Sequence, residues 1–222
     1  MMENSESAQD YCDLGDSYFY LGKLEDAISV YQQAIQIDPN YAGAYCNLGT
    51  AYHRQGQIEQ AITALQKAIQ IDPNHAKAYY HLGLTYSRQG QLEQAIAAYQ
   101  QAIQIDPNYA KAYCNLGTAY SRQGQIEQAI VSYQQAIQID PNDTKAHNNL
   151  NAIQGRKKMM KVGCFALVLI LILLLYIFIF RWENYDGLCQ FRKWIDGNSM
   201  SGQVNDYQPK LKDRTLAQDY RG

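Results

Sequence analysis

In residues 110–143 the apolar side chains Ala112, Tyr113, Leu116, Ala119 and Tyr120 recur at three- and four-residue intervals, the period of a helix face. The polar stretch Arg122–Gln125, with Gly124 inside it, interrupts them as a turn would. A second apolar series of the same period follows: Ile126, Ala129, Ile130, Tyr133, Ala136, Ile137 and Ile139. It stops at Asp140-Pro141-Asn142, because proline pushes the residue before it out of the helical region. The pattern predicts two antiparallel helices joined by a short turn. It returns with a fixed period: Pro39, Pro73, Pro107 and Pro141 are each 34 residues apart, as are Gly15, Gly49, Gly83 and Gly117. Four copies result, 8–41, 42–75, 76–109 and 110–143. The phrase QAIQIDPN closes three of them, and KAIQIDPN at 67–74 closes the other.

One such hairpin cannot bury its own apolar face, but a stack of them builds a continuous core and an extended surface. Small residues at Gly117, Ala129 and Ala136 allow the paired helices to approach, and Tyr113, Leu116, Tyr120 and Tyr133 fill the space around them. The expected fold class is therefore all-α, a solenoid of helix hairpins. Residues 144–161 are a degenerate continuation, read as a closing helix with Ala146, Leu150 and Ile153 on its inner face. A polar segment, residues 1–7, precedes the repeats.

These positions resemble the tetratricopeptide repeat (TPR) signature of a large aromatic, Leu-Gly, Tyr, Ala, aromatic, Ala and Pro. Copy four supplies Tyr113, Leu116-Gly117, Tyr120, Ala129, Tyr133, Ala136 and Pro141. Copy three supplies Tyr79, Leu82-Gly83, Tyr86, Ala95, Tyr99, Ala102 and Pro107. Tyr stands in place of the usual Trp, and Leu65 replaces the second aromatic in copy two. The resemblance implies a right-handed superhelix whose first helices line a concave, peptide-binding groove. In style the repetition is similar to bacterial, especially cyanobacterial, members.

After the repeats comes VGCFALVLILILLLYIFIF, residues 162–180, nineteen residues without a charge. At ~1.5 Å per residue it would reach roughly 28 Å, close to the ~30 Å apolar core of a bilayer. It reads as a single transmembrane helix that binds the lipid bilayer. It contains no ionisable side chain of the kind that lines a conduction path, so it reads as an anchor. Arg156, Lys157, Lys158 and Lys161 precede it, against Arg181 with Glu183 and Asp186 behind. The positive-inside rule then expects a single-pass membrane protein with cytoplasmic repeats and the tail, residues 181–222, on the opposite side. The polar composition of that tail reads as disordered. Residues 1–7 have no apolar core, so no secretory signal peptide is expected.

The net charge of −2 gives no bulk attraction for nucleic acid, and no nucleic-acid partner is expected. Nor does the chain present a catalyst. Thirteen of its 19 tyrosines fall at recurring repeat places, which means packing. Cys12, Cys46 and Cys114 share one place and are expected as free thiols in a reducing compartment. Cys164, at the membrane edge, is a minor candidate for acylation, and Cys189 is alone in the tail. His53, His75, His81 and His147 have no metal-ligand spacing. Near-identical repeats set like residues in rows, whereas an active site needs unlike residues converging on a point. The expectation is no enzyme, no cofactor, no metal and no catalytic residue.

Rows suit the recognition of extended protein or peptide partners. The TPR resemblance places Gln9, Cys12, Asp16, Phe19 and Tyr20 of copy one in the groove. Copy two contributes Cys46, Asn47, Thr50, His53 and Arg54. Lys77, Tyr80, His81, Leu84, Ser87 and Arg88 come from copy three, and Lys111, Cys114, Asn115, Thr118, Ser121 and Arg122 from copy four, with Lys145 and Arg156 extending the basic rows. The second helices carry Glu25, Asp26, Glu59, Glu93 and Glu127, so the solenoid is expected to be basic inside and acidic outside. The groove is expected to bind acidic, extended segments, in a membrane-anchored scaffold for assembling complexes. The alternative for Arg54, Arg88 and Arg122 is that they are ordinary solvated residues near the turns. The carboxylate clamp that docks Hsp70 and Hsp90 tails matches only at Asn47 and Lys77 in one register and at Lys111 in the next, so those tails are not expected. Two other classes stand open: a targeting receptor of an organelle outer membrane, and a membrane enzyme acting through its tail.

Overall fold

The computed structural model describes residues 7–183, and within them all side chains except those of 160–165 and 181–183. Nine α-helices occur among the described residues: α1 Ala8–Tyr20, α2 Leu24–Ile37, α3 Ala42–Gln55, α4 Ile58–Ile71, α5 Ala76–Gln89, α6 Leu92–Ile105, α7 Ala110–Arg122, α8 Ile126–Ile139 and α9 Thr144–Glu183. The first eight are four hairpins cut where the period cuts them. One helix, α9, covers both the segment expected as a closing helix, 144–161, and the apolar run, 162–180. The tail beyond it, with Cys189, and the side chain of Cys164 lie outside the described residues.

Each local signal has a visible cause. Ser7 opens α1 with a capping box: its hydroxyl accepts from the Asp10 N–H at 3.2 Å, and its own N–H donates to the Asp10 carboxylate at 2.7 Å. The hairpin turns use Gly22, Gly56, Gly90 and Gly124, all at positive φ. At Gly56 the Gln57 N–H reaches back to the Tyr52 carbonyl at 2.9 Å, closing a Schellman motif. Before each repeat's proline, aspartate leaves the helix in an extended conformation (Asp38 at φ −128°, ψ 96°). Its carboxylate then accepts from the N–H two residues on, as in Asn40 to Asp38 at 2.9 Å, which fixes the turn between repeats.

Within a hairpin, a Cβ placed on Gly117 would meet the Tyr133 ring at 2.8 Å and the Ala129 carbonyl at 3.1 Å. Glycine is therefore required there by contact and not by backbone freedom. Between hairpins, each first helix packs on the second helix before it. Successive first helices also touch, α1 on α3, α3 on α5 and α5 on α7, whereas among the described residues successive second helices do not. The stack accordingly curves with its first helices on the inner side.

The two ends of the stack differ from its middle. Leu48, Leu82 and Leu116 are 6–7 % exposed under the preceding repeat, while the equivalent Leu14 of copy one is 46 % exposed. Asp10 and Ser17 stand where later copies have the fully buried Ala44, Ala78 and Ala112, and Ala51, Thr85 and Ala119. Copy one is thus made polar at its outer edge, as a terminal repeat must be. At the other end Ala146 and Ile153 of α9 are fully buried against copy four, and Leu150 packs beside them. Lys157, one of the basic residues before the apolar run, pairs with Glu127 of α8 at 2.9 Å.

The chain divides into two compact units, Met1–Lys158 and Met159–Gly222. In the second, residues 166–180 of α9 are helical with every side chain exposed. Among the described residues no helix is long and apolar enough to cross a membrane. The part of the apolar run whose side chains are described, 166–180, is shorter than the ~20 residues that a span needs.

Candidate functional site: the inner face of the first helices

The inner face is a set of polar rungs, each joining one repeat to the next. Lys77 on α5 donates to the Asn47 side-chain oxygen on α3 at 3.0 Å. The Asn47 amide in turn donates to Oδ1 of Asp16 on α1 at 3.0 Å. Two repeats further on, Lys145 on α9 donates to Asn115 on α7 at 2.8 Å, and the Asn115 amide donates to the Tyr80 hydroxyl on α5 at 3.0 Å. The rung between them is different. Copy three has His81 where its neighbours have asparagine, so Lys111 has no hydrogen-bond partner among the described residues. It is an exposed cation on the inner row.

The arginines expected to face a ligand also join one repeat to the next. Arg54, Arg88 and Arg122 each donate to a carbonyl in the last turn of the previous first helix: Phe19 at 2.9 Å, His53 at 2.6 Å and Ser87 at 2.9 Å. Those carbonyls lie at the negative end of a helix dipole, where a cation is favoured. Arg122 also reaches the Ser87 hydroxyl at 3.0 Å, and Arg156 donates to Ser121 at 3.2 Å. Each of the three exposed arginines thus couples neighbouring repeats through one Nη1–H. Arg54 also lies over the Phe19 ring, 4.9 Å from its centroid.

The remaining expected groove residues divide by environment. Thr50 and Thr118 turn their hydroxyls back onto the Cys46 and Cys114 carbonyls, at 2.8 and 3.1 Å. Leu84 is half-buried on the cluster that holds Tyr99 and Leu116. Tyr80 forms an aromatic cluster with Tyr109, whose centroid is 4.9 Å away, and with His81 at 5.2 Å. Cys12, Cys46 and Cys114 are free but buried, and burial raises each thiol to about 11, so they are unreactive near neutral pH. Burial pushes His81 down to about 3, helped by the nearby cations Lys77 and Lys111, so its ring is neutral. Burial also lowers His53 and His75. Among the described residues no three His, Cys, Asp or Glu side chains gather as a metal site would require.

The structure adds one group that repeat position alone does not mark. Tyr31, at a recurring packing place on α2, carries its hydroxyl through the hairpin to the inner face and donates to Asp16 Oδ1 at 2.6 Å. A fifteen-residue offset is the signal, since Tyr133 points in the same way at Thr118, 3.3 Å away. Asp16 thereby becomes the wall of a cavity of about 160 Å³ shared with Tyr20, Asn47, Lys77 and His81. A second, more open cavity of about 370 Å³ adjoins Tyr80, Lys111, Asn115 and Lys145.

The family model described as the Cilia and flagella-associated protein 70 C-terminal domain matches residues 2–163. A crystal structure of MamA protein is similar at 30 % identity, with a TM-score of 0.61, over 71 % of this chain and 86 % of that one. MamA from Desulfovibrio magneticus RS-1, starting at its residue 41, is similar at 25 % identity and a TM-score of 0.62, over 75 % of this chain and 94 % of that one. YrrB, described as a TPR protein with an unusual peptide-binding site, shares the fold at 23 % identity and a TM-score of 0.57, over 70 % of this chain and 80 % of that one. Among curated proteins, none matches the chain. With the 34-residue hairpins, the inter-repeat rungs and these likenesses together, the chain belongs to the tetratricopeptide repeat family.

Proposed function

We propose that the protein is a membrane-anchored interaction scaffold whose inner face holds extended, acidic segments of partner proteins. The lysine row Lys77, Lys111 and Lys145, one per repeat, carries this proposal. Its middle member is exposed and has no hydrogen-bond partner among the described residues, and the Tyr80–Tyr109 cluster lies on the same face. A carboxylate of an extended chain lying along the stack would meet one ammonium per repeat, and the aromatic rings supply apolar contact between them. Binding depends on the lysines and not on Arg54, Arg88 or Arg122, which hold the repeats together.

The anchor is the 162–180 run. Its side chains from 166 to 180 are all exposed and all apolar or aromatic, a continuous surface suited to lipid and not to water. The basic residues before it favour a cytoplasmic solenoid and a tail across the membrane. Protease treatment of sealed native membranes tests the topology, and crosslinked capture from the same membranes tests the groove. The expected result is a protected tail, a digested solenoid, and loss of acidic partners when Lys77 and Lys111 are both changed to Glu. A protected solenoid would reverse the topology, and partners retained by the doubly reversed variant would remove the groove as their binding surface.

A further inference from the structure

Asp16 is the least expected residue of a face that attracts acids, and its geometry is specific. Both of its hydrogen bonds, from Tyr31 at 2.6 Å and from Asn47 at 3.0 Å, end on Oδ1. Among the described residues Oδ2 has no hydrogen-bond partner and no cation is paired with the group. Lys77, the cation of the same rung, is directed to Asn47, and Arg54 is directed to the Phe19 carbonyl. The carboxylate therefore stands oriented, with one oxygen open, on the wall of the 160 Å³ cavity. Tyr20, which also lines it, is 83 % exposed, a degree that packing does not account for. Copies two, three and four have Arg54, Arg88 and Arg122 at that place, so copy one lacks the arginine and offers an aromatic face instead.

The charges of the first helices separate along the stack in the same sense. At the inner positions α1 carries Asp13 and Asp16 and no lysine or arginine, whereas α5, α7 and α9 contribute Lys77, Lys111 and Lys145. The inner face is thus acidic and aromatic at copy one and basic from copy three onward. Building on the groove proposed above, we infer that the Asp16 cavity is a subsite for a basic side chain, lysine or arginine, of the bound peptide. The ligand is then an extended segment with a base at one end and acids at the other, held in one direction. The ammonium or guanidinium pairs with Asp16 Oδ2 and lies against the Tyr20 ring, while the acids meet Lys111 and Lys145. From α1 to α7 are three steps between neighbouring first helices, roughly 27 Å at the ~9 Å spacing of packed helices. An extended chain covers that in about eight residues at ~3.3 Å each.

Asp16→Asn isolates the subsite, because the asparagine oxygen keeps both hydrogen bonds made to Oδ1 and only the open oxygen becomes an amide. Fluorescence anisotropy with the full chain in lipid nanodiscs would use three synthetic peptides. One carries an arginine and, about eight residues on, three glutamates; in the second the arginine is replaced by glutamine, and in the third by glutamate. The wild-type chain is expected to bind the first about tenfold more tightly than the second, as one charge-assisted pair allows. Asp16→Asn is expected to bring that ratio to within about twofold. Asp16→Lys should prefer the glutamate peptide. An unchanged ratio in Asp16→Asn, with melting temperature preserved, would overturn the subsite but leave the lysine row intact. Failure of the wild type to bind any of the three would overturn both.

Discussion

Replacing His81 by Asn restores at copy three the residue type that copies two and four carry, and it should remove an acid sensitivity from the solenoid. His81 is half-buried and is acted on by the cations Lys77 and Lys111 and by His53 and His75, with no acid among these groups. Its folded value of about 3 lies far below the 6.5 of an exposed histidine, so the unfolded chain binds a proton that the folded one refuses. Its contribution to stability is therefore whole above about pH 6.5 and is lost progressively as pH falls toward 3. Between about pH 7 and 5 the linkage amounts to about 1–2 kcal/mol, discounted for partial exposure to solvent. Asparagine at that place would carry no proton, and its amide oxygen would come within reach of Lys111, as those of Asn47 and Asn115 do for Lys77 and Lys145. Urea unfolding of both chains, followed by circular dichroism at about pH 7 and pH 5, measures the difference. His53 and His75 are common to both chains and cancel to first order. Wild type should lose about 1–2 kcal/mol more than His81→Asn on acidification. Equal losses would show that His81 takes up its proton in the folded chain as readily as in the unfolded one.

Gly117→Ala should cost about 2 kcal/mol by forcing the Tyr133 ring and the Ala129 carbonyl apart, whereas Gly155→Ala, where nothing lies within 4 Å of the added carbon, should stabilise by about 0.5–1 kcal/mol through helix propensity. Thermal unfolding compares the two, and equal signs would remove contact as the reason for Gly117. Arg88→Ala should lower stability by about 1 kcal/mol through loss of its bond to the His53 carbonyl, yet leave affinity for an acidic peptide within about twofold; a tenfold loss of affinity would return the arginines to the ligand. Leu171→Arg with Leu174→Arg should release the protein from membranes on fractionation, since each charge costs about 2.5–3.5 kcal/mol at mid-bilayer; full retention would rule out the span.

The hairpins are legible because every copy states the same local signals: glycine where φ is positive, Asp-Pro-Asn where the helix stops, glycine opposite a bulky side chain. Ala146, Leu150 and Ile153 are legible for the same reason, as a fifth partial copy. The roles of Arg54, Arg88 and Arg122 are not. Their partners are backbone carbonyls 35 residues upstream, and a carbonyl has no letter in the sequence. The pairing of Asn47 and Asn115 with lysines is hidden similarly, since both ends are visible but their separation of 30 residues gains meaning only from the stacking. Asp16 is visible as the one acid among the groove positions expected of copy one. That its Oδ1 is engaged on the wall of a cavity depends on Tyr31, whose repeat position signals packing alone. The continuity of α9 escapes the pattern too, because a change from polar to apolar composition alters the surroundings of a helix without ending it.

An exposed inner lysine meeting the carboxylates of a bound chain is the contact on which the proposed function stands. A carbodiimide joins a lysine amine to a carboxylate only when the two touch, so it reads that contact directly. The full chain, reacted with a glutamate-rich peptide and digested for mass spectrometry, should carry the peptide on Lys111 first, then on Lys77 or Lys145, with little on Lys67 of the outer helix α4. Peptide spread evenly over exposed lysines, or concentrated on Lys67, would exclude the inner face as the binding surface.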